Sequence, residues 1–376
     1  MPNFNIIPPK ADVIPHQHKI HNQIRTDPYY WLNERENPKV LDYLDRENYY
    51  YQKMTYHTRS LQNDLYKEMR ARIKEDESSV PYFYNGYWYI TRYVHGKDYP
   101  IYSRKKEELT AEEEILFDCN KMAHSLDYFK LVGISVSPDN SKVAFGVDTL
   151  SRRQYTIMVK DLKSGEIMAT NIKNTTGTSV WALDNASLFY TKKDKITLRS
   201  KTIYKHRIDD PTQKDELIYK EVDETYSVHV SSSKSRKFIF ISSHSTTTSE
   251  YRFIESDQPQ AIFKVIQPRT VNLEYSVEHF GDHFYLHTNF NNATNFQIMR
   301  TSVSQTTSKY WEPLLAHSED ILIEDFELFD QYLVVNEREN GLSRLRIMRW
   351  DNLEDYYLPI DNETYALNIS FNPDFN

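Results

Sequence analysis

The residues that could do chemistry in this chain are few and scattered. Three Gly-x-Ser fragments occur, Gly133-Ile134-Ser135, Gly177-Thr178-Ser179 and Gly341-Leu342-Ser343. A hydrolase nucleophile elbow needs a second glycine two residues after the serine, because the strand-to-helix turn brings backbone close to backbone. Ser137, Trp181 and Leu345 stand there instead, so all three serines read as ordinary strand or turn residues. His16, His18 and His21 form a trio that strand-like alternation could partly align. An extended tail without supporting hydrogen bonds is a poor metal site, and no metal is expected. Cys119 follows Asp118 with no histidine nearby in sequence and reads as a packed thiol. No phosphate-binding loop of either glycine-rich type is present, and no cofactor is expected. Arg152 and Arg153, in Ser151-Arg152-Arg153-Gln154-Tyr155, are the candidate binding residues. Adjacent side chains entering a strand point to opposite faces, so one of the two should meet solvent or a neighbouring domain.

Composition narrows the classes. The chain has 376 residues and a formal charge of -8, which argues against a nucleic-acid partner and slightly favours cationic ones. One cysteine excludes an internal disulfide and fits a reducing compartment. No apolar run approaches the roughly 20 residues needed to span a bilayer. The start lacks the basic-then-apolar pattern of a secretory signal, so no membrane association and a cytoplasmic location are expected. There are 29 tyrosines but only 8 glycines. Aromatic richness favours strands. Glycine poverty disfavours doubly wound nucleotide folds and an α/β-hydrolase core within this chain.

The elements that must position these residues fall into two regions, 1–75 and 76–376. In the first, a proline-rich extended start leads to Asn37-Pro38, a helix cap followed by proline at the first helical position. A second helix follows, with Leu61, Leu65, Met69 and Ile73 on one stripe and Lys67, Glu68, Arg70 and Arg72 opposite. Neither helix can bury its stripe alone. From Pro81 the pattern changes to period 2. Strand–turn–strand units centre on Gly86, Asp139, Asp184, Ser235, Asp282 and Asp330, about 45 to 53 residues apart. That is the length of a four-stranded propeller blade. A seventh unit starts at Ala366 and repeats the Ile-Ser-x-x-Pro-Asp pattern of the second. A β-sandwich also has strands and turns, but it does not repeat at this period. The reading is therefore all-β, a seven-bladed propeller with six blades and the start of the seventh in this chain, preceded by an α-helical arm.

Several motifs, taken together, resemble a known family. Ile14-Pro15-His16, Arg25-Thr26-Asp27-Pro28-Tyr29-Tyr30-Trp31-Leu32, Val40-Leu41-Asp42-Tyr43-Leu44 and Glu47-Asn48 look like the N-terminal signature of oligopeptidase B, the trypsin-like branch of the prolyl oligopeptidase family. The likeness continues through the Arg152-Arg153 stretch, Asp215-Glu216-Leu217-Ile218-Tyr219, Thr247-Thr248-Ser249-Glu250, Asn336-Glu337-Arg338 and Phe371-Asn372-Pro373. The resemblance implies that the propeller caps a C-terminal α/β-hydrolase domain, absent from this chain, on which the helical arm would pack. It implies Ser-His-Asp hydrolysis of short peptides after Arg or Lys, with the propeller limiting access. No catalytic residue of that triad lies within these residues, so the chain alone is expected to be inactive. Arg152 and Arg153 carry over as candidate interdomain or substrate-facing residues. The rival reading is a stand-alone propeller serving as an interaction scaffold.

Overall fold

The computed structural model describes residues 6–375. The chain divides into two compact units, residues 1–75 and 76–376.

In the first unit the start is not a plain extended tail. His16–Ile20 (β1) and Gln23–Asp27 (β2) pair as an antiparallel hairpin. His21 and Asn22 both take the left-handed conformation at its turn (φ 55 and 59), as a two-residue turn of this hand requires. Helix α1 spans Pro38–Met54, and the Asn37 side chain caps it by accepting from the Lys39 amide. Val40 and Trp31 are buried, and the Trp31 indole donates to the Asp12 carbonyl at 2.8 Å. Helix α2 spans Arg59–Ala71, two residues short of Ile73. Its stripe is bare: Leu61, Leu65 and Met69 are all exposed. On the other face Arg72 pairs with Glu68 and Arg70 with Glu75.

The second unit is a series of four-stranded antiparallel modules. Module 1 holds Tyr82–Tyr84, Tyr87–Arg92, Ile101–Lys106 and Glu113–Asp118. Modules 2 and 3 are fused into one seven-stranded sheet by the 15-residue strand Ile167–Trp181. Its first half pairs with Tyr155–Asp161 and its second half with Ser187–Lys193. Modules 4, 5 and 6 start at Ser227, Tyr275 and Ile321.

What stacks these modules is the alternation of side chains on their second strands. Val143 and Phe145 face the Leu116–Phe117 side of module 1, whereas Ala144 joins Leu188 and Tyr190 of module 3. Phe189 turns the other way, to Ile239 and Ile241 of module 4. Phe240 meets Phe284 and Leu286 of module 5, and Tyr285 meets Leu333 and Val335 of module 6. A strand buried on both faces has no solvent side to mark with polar residues, hence the unbroken apolar runs Val143-Ala144-Phe145 and Phe238-Ile239-Phe240-Ile241.

The three near-miss glycines have structural duties. Gly341 follows Asn340 in a hairpin turn, both left-handed (φ 83 and 50). Gly133, Gly146 and Gly177 meet where Lys130–Val136, Lys142–Asp148 and Ile167–Trp181 converge, and a Cβ on Gly133 or Gly146 would collide with the Gly177 backbone. The segment expected to open a seventh unit, 366–374, forms no strand. Side chains hold it, with Phe371 edge-on to Tyr82 (5.1 Å), and just beyond it Phe375 packs against Phe280 (5.2 Å) and its carbonyl accepts from the Asp330 amide at 3.0 Å.

Gly146→Ala adds only a methyl, at a position of ordinary backbone conformation. It is expected to lower stability by about 1–3 kcal/mol through overpacking, read by chemical denaturation. An unchanged midpoint would contradict the close approach of the three strands.

Candidate functional site

The first strands of the modules wall a cavity of about 500 Å3. Its lining includes Tyr82, Tyr84 and Tyr89 of module 1, Ser135 of module 2, Lys234 and Arg236 of module 4, Glu278 of module 5, and Asp325 and Glu327 of module 6. Aromatic rings and charges thus share one chamber, the mixture expected where a polar, partly apolar ligand is accommodated.

The end of the cavity at the first turns is closely tied. Consecutive turns bond to one another: Asn85 Nδ2 donates to the Pro138 carbonyl at 2.9 Å, and the Asp139 amide to Asn185 Oδ1 at 2.9 Å. The module 4 turn, Ser233–Lys237, reaches further. Lys234 Nζ lies 2.5 Å from Glu327 Oε1, and the Lys234 amide donates to Glu278 Oε1 at 2.9 Å. Burial pushes Glu278 up to about 7, and Glu327 adds to the shift, while the His279 and Lys234 amides and the Lys234 charge oppose it.

No serine here is poised as a nucleophile. Ser135 lines the cavity with its carbonyl taken by the Trp181 indole (2.9 Å); Ser179 and Ser343 are buried. Ser235 does contact His279 (Oγ to Nδ1, 2.8 Å). Burial drives that imidazole down to about 4, and Phe238 and Phe284 flank its ring. A base needs an orienting group and a pKa near the working pH; the His279 ring is met by the Gly281 backbone rather than by a carboxylate, and its low value leaves it too weak a base. Another buried set joins Tyr190 OH to Asp215 Oδ2 and Asp215 Oδ1 to His206 Nδ1, each at 2.7 Å. This carboxylate–histidine pair has a tyrosine, not a nucleophile, as its third member, and it braces the strands of module 3. Burial raises the Cys119 thiol to about 12, which leaves it a packed, protonated group. His16 and His18 do lie on one side of β1, their rings 4.7 Å apart, but both pack on Tyr30 while His21 sits in the turn.

Arg152 and Arg153 are exposed on the loop between Lys142–Asp148 and Tyr155–Asp161, at the opposite end of module 2 from its Asp139 turn. The expected strand alternation does not reach them. The strand starts at Tyr155, and Arg153 is left-handed (φ 53). The loop is folded around buried Asp148, which accepts from the Leu150 and Arg153 amides at 2.8 and 2.7 Å. Lys193 Nζ donates to the Arg153 carbonyl at 2.7 Å.

A charged network at the same end of modules 3 and 4 has no counterpart among the sequence candidates. Glu221 Oε2 accepts from Arg269 Nη2 (2.7 Å), Ser243 Oγ (2.6 Å) and Tyr219 OH (3.0 Å). Arg269 also covers the Tyr226 ring at 3.7 Å, and its amide donates to Glu250 Oε2. Burial alone would raise Glu221, but Arg269 and Ser243 outweigh it and bring the carboxyl to about 2. Glu250 lies inside a motif singled out above; Glu221 and Arg269 gave no local signal, because they are 48 residues apart.

These features belong to a shared architecture. Residues 8–372 match the family described as "Prolyl oligopeptidase, N-terminal beta-propeller domain". The chain belongs to the prolyl oligopeptidase family, as its propeller portion. Among curated relatives, it is 38% identical to dipeptidyl aminopeptidase BI of Pseudoxanthomonas mexicana, covering 98% of this chain and 53% of that protein. It is 32% identical to protease 2 of Moraxella lacunata, covering 92% and 51%. Among solved structures, oligopeptidase B from Leishmania major superposes with a TM-score of 0.90 at 27% identity, covering 96% of this chain and 54% of the other. Oligopeptidase B from Trypanosoma brucei gives 0.88 at 26%, with the same coverage. The chain spans about half the length of these relatives.

The Glu221 network sets an acid limit. A carboxyl depressed in the folded state contributes stability that is present above its unfolded value, about 4.5, and is lost as pH falls towards 2. Arg269→Ala is expected to cost about 2–4 kcal/mol at neutral pH and to flatten this acid dependence. Denaturation curves over that range test it; an acid dependence as steep as in the parent would count against the network.

Proposed function

We propose that this chain is the propeller portion of a serine oligopeptidase that hydrolyses short peptides after Arg or Lys, with the propeller restricting access to a hydrolase domain. The observation that carries the reading is the match to oligopeptidase B structures along 96% of the chain above 25% identity. In this reading the propeller has seven blades, of which modules 1 to 6 are complete. Residues 1–75 belong with the hydrolase domain, and the exposed Leu61, Leu65 and Met69 stripe is the face that packs there. The partners are short basic peptides and that domain, and the setting is cytoplasmic. The scaffold alternative has no observation in its favour.

A second reading follows from one relative. A protein 38% identical is named a dipeptidyl aminopeptidase, which would make the cut two residues from a free N-terminus. The two differ in one requirement. Removal of dipeptides needs a free α-ammonium, so acylating the peptide's N-terminus abolishes it, whereas an endopeptidase tolerates the acyl group.

Three measurements follow. The 376-residue polypeptide alone is expected to leave Arg- and Lys-based chromogenic substrates intact; turnover blocked by a serine-directed inhibitor would overturn this. In a polypeptide carrying both propeller and hydrolase domains, N-acylated and free Arg-containing peptides are expected to be cut with similar kcat/KM, and strict dependence on the free amine would select the second reading. In the same enzyme, Arg152→Ala and Arg153→Ala are expected to lower kcat/KM on basic peptides by about 10-fold, about 1.4 kcal/mol in transition-state terms. No change in either variant would remove these residues from the substrate path or domain interface.

A further inference from the structure

Sequential modules pack face to face, so a bond between modules that are not sequential has to cross the cavity walled by their first strands. The Ser233–Lys237 turn makes two such bonds. Arg236 Nη1 donates to Asn85 Oδ1 of module 1 at 2.6 Å, with its guanidinium near the Tyr84 ring (5.6 Å). Lys234 Nζ reaches Glu327 of module 6 at 2.5 Å and lies over the Phe329 ring at 4.1 Å. The same turn binds its neighbour, module 5, through Glu278 and through Ser235 to His279. The Lys234 side chain is only 6% exposed and that of Glu327 27%, so this ion pair is largely buried at its lysine end. Such a pair is strong only while both partners and their remaining hydrogen bonds stay in place. By contrast, the Asn85 and Asn185 contacts of the other turns, and the bond from Asn140 Nδ2 to the Asn85 carbonyl (3.2 Å), join sequential modules.

We propose that the Ser233–Lys237 turn is a latch across one mouth of the propeller cavity, fastened to module 1 by Arg236 and to module 6 by Lys234, which must release before an extended peptide can pass through that mouth. The geometry carries this without reference to which bond the enzyme cuts.

Glu278 makes the latch sensitive to pH. Lys234 from the turn, Glu327 from Ile321–Leu328, Tyr251 from Ser249–Glu255 and its own neighbour His279 act on it, and Arg236 and Asp325 line the same cavity. Tyr84, on the module 1 wall, is influenced in turn by Arg236 and Asp374. With the latch closed, Glu278 titrates at about 7 rather than 4.5, mainly through burial. A carboxyl raised in this way weakens the closed state as it ionises. Through Glu278 alone, closure is firmest below about 4.5, declines as pH rises, and is weakest above 7. His279, held down to about 4 by burial, opposes this below its usual value of 6.5, so the decline left to Glu278 alone falls near pH 7.

Hydrogen–deuterium exchange on the 376-residue chain reads the latch directly, once rates are corrected for intrinsic pH dependence. Lys234→Met is expected to speed exchange about 10-fold in three places at once: the 233–237 turn, the Tyr84–Gly86 turn and the Phe326–Phe329 stretch. In the parent protein the same three segments are expected to loosen together as pH rises through 7, and Glu278→Gln to remove that pH dependence while leaving them protected. If Lys234→Met unfolds the chain, Glu327→Gln and Arg236→Gln each cut one fastening and serve in its place. Loosening confined to the mutated turn would overturn the latch. Persistence of the pH response in Glu278→Gln would overturn its control by Glu278. Because no substrate is involved, failure here leaves the peptidase reading untouched, and failure of that reading leaves the latch standing.

Discussion

The second strand of each inner module is packed on both faces, and the rest of the structure depends on this. Ala144 and Phe145, neighbours in sequence, belong to different hydrophobic clusters, as do Phe189 and Tyr190, and Phe284 and Tyr285. Burying one such side chain contributes about 1.5–3 kcal/mol, so every module is stabilised mainly by the modules beside it. Stacked sheets must hold a separation near 10 Å. That constraint leaves a cavity walled largely by first strands and puts functional side chains at the strand ends, where the packing does not dictate residue type.

The two ends have been put to different uses. At the first-turn end, hydrogen bonds run between Asn side chains and backbone carbonyls or amides, and the module 4 turn adds charge. At the other end, Asp148, Glu221 and Glu250 organise loops by accepting backbone amides and guanidinium groups. Both arrangements bury carboxylates, yet with opposite consequences. Glu221 is matched by Arg269 and stays ionised; Glu278 meets backbone amides and a lysine already engaged by Glu327, so its proton is held to near neutrality. Burial pushes both upward, and the shift reverses only where a paired cation and hydrogen bonds outweigh it.

Much of the architecture was legible from the chain. The period of about 45 to 53 residues and the turn residues located the hairpins centred near Asp139, Asp184, Ser235, Asp282 and Asp330. Asn37-Pro38 located the start of α1. The β1–β2 hairpin went unread because its turn, His21-Asn22, lacks glycine and its strands carry charged and polar residues on both sides. The 366–374 segment has the sequence of a blade's opening but no strand, since a β-strand exists only with a partner to bond. Arg152 and Arg153 were assigned strand alternation they do not have, because Asp148 draws the loop back upon itself.

Sequence by itself determined the local facts: which stretches are extended, where they turn, and that no glycine-flanked nucleophile occurs within these residues. Those follow from backbone preference and near-neighbour chemistry, which act over a few positions. Tertiary structure alone decided that Gly133, Gly146 and Gly177 serve one close approach of three strands. It also decided that Glu221 meets Arg269, and that Lys234 and Arg236 fasten modules whose sequences lie 93 and 151 residues away. Charge pairs of that kind are set by where the stacked sheets bring strand ends together, a distance in space that residue spacing along the chain does not encode.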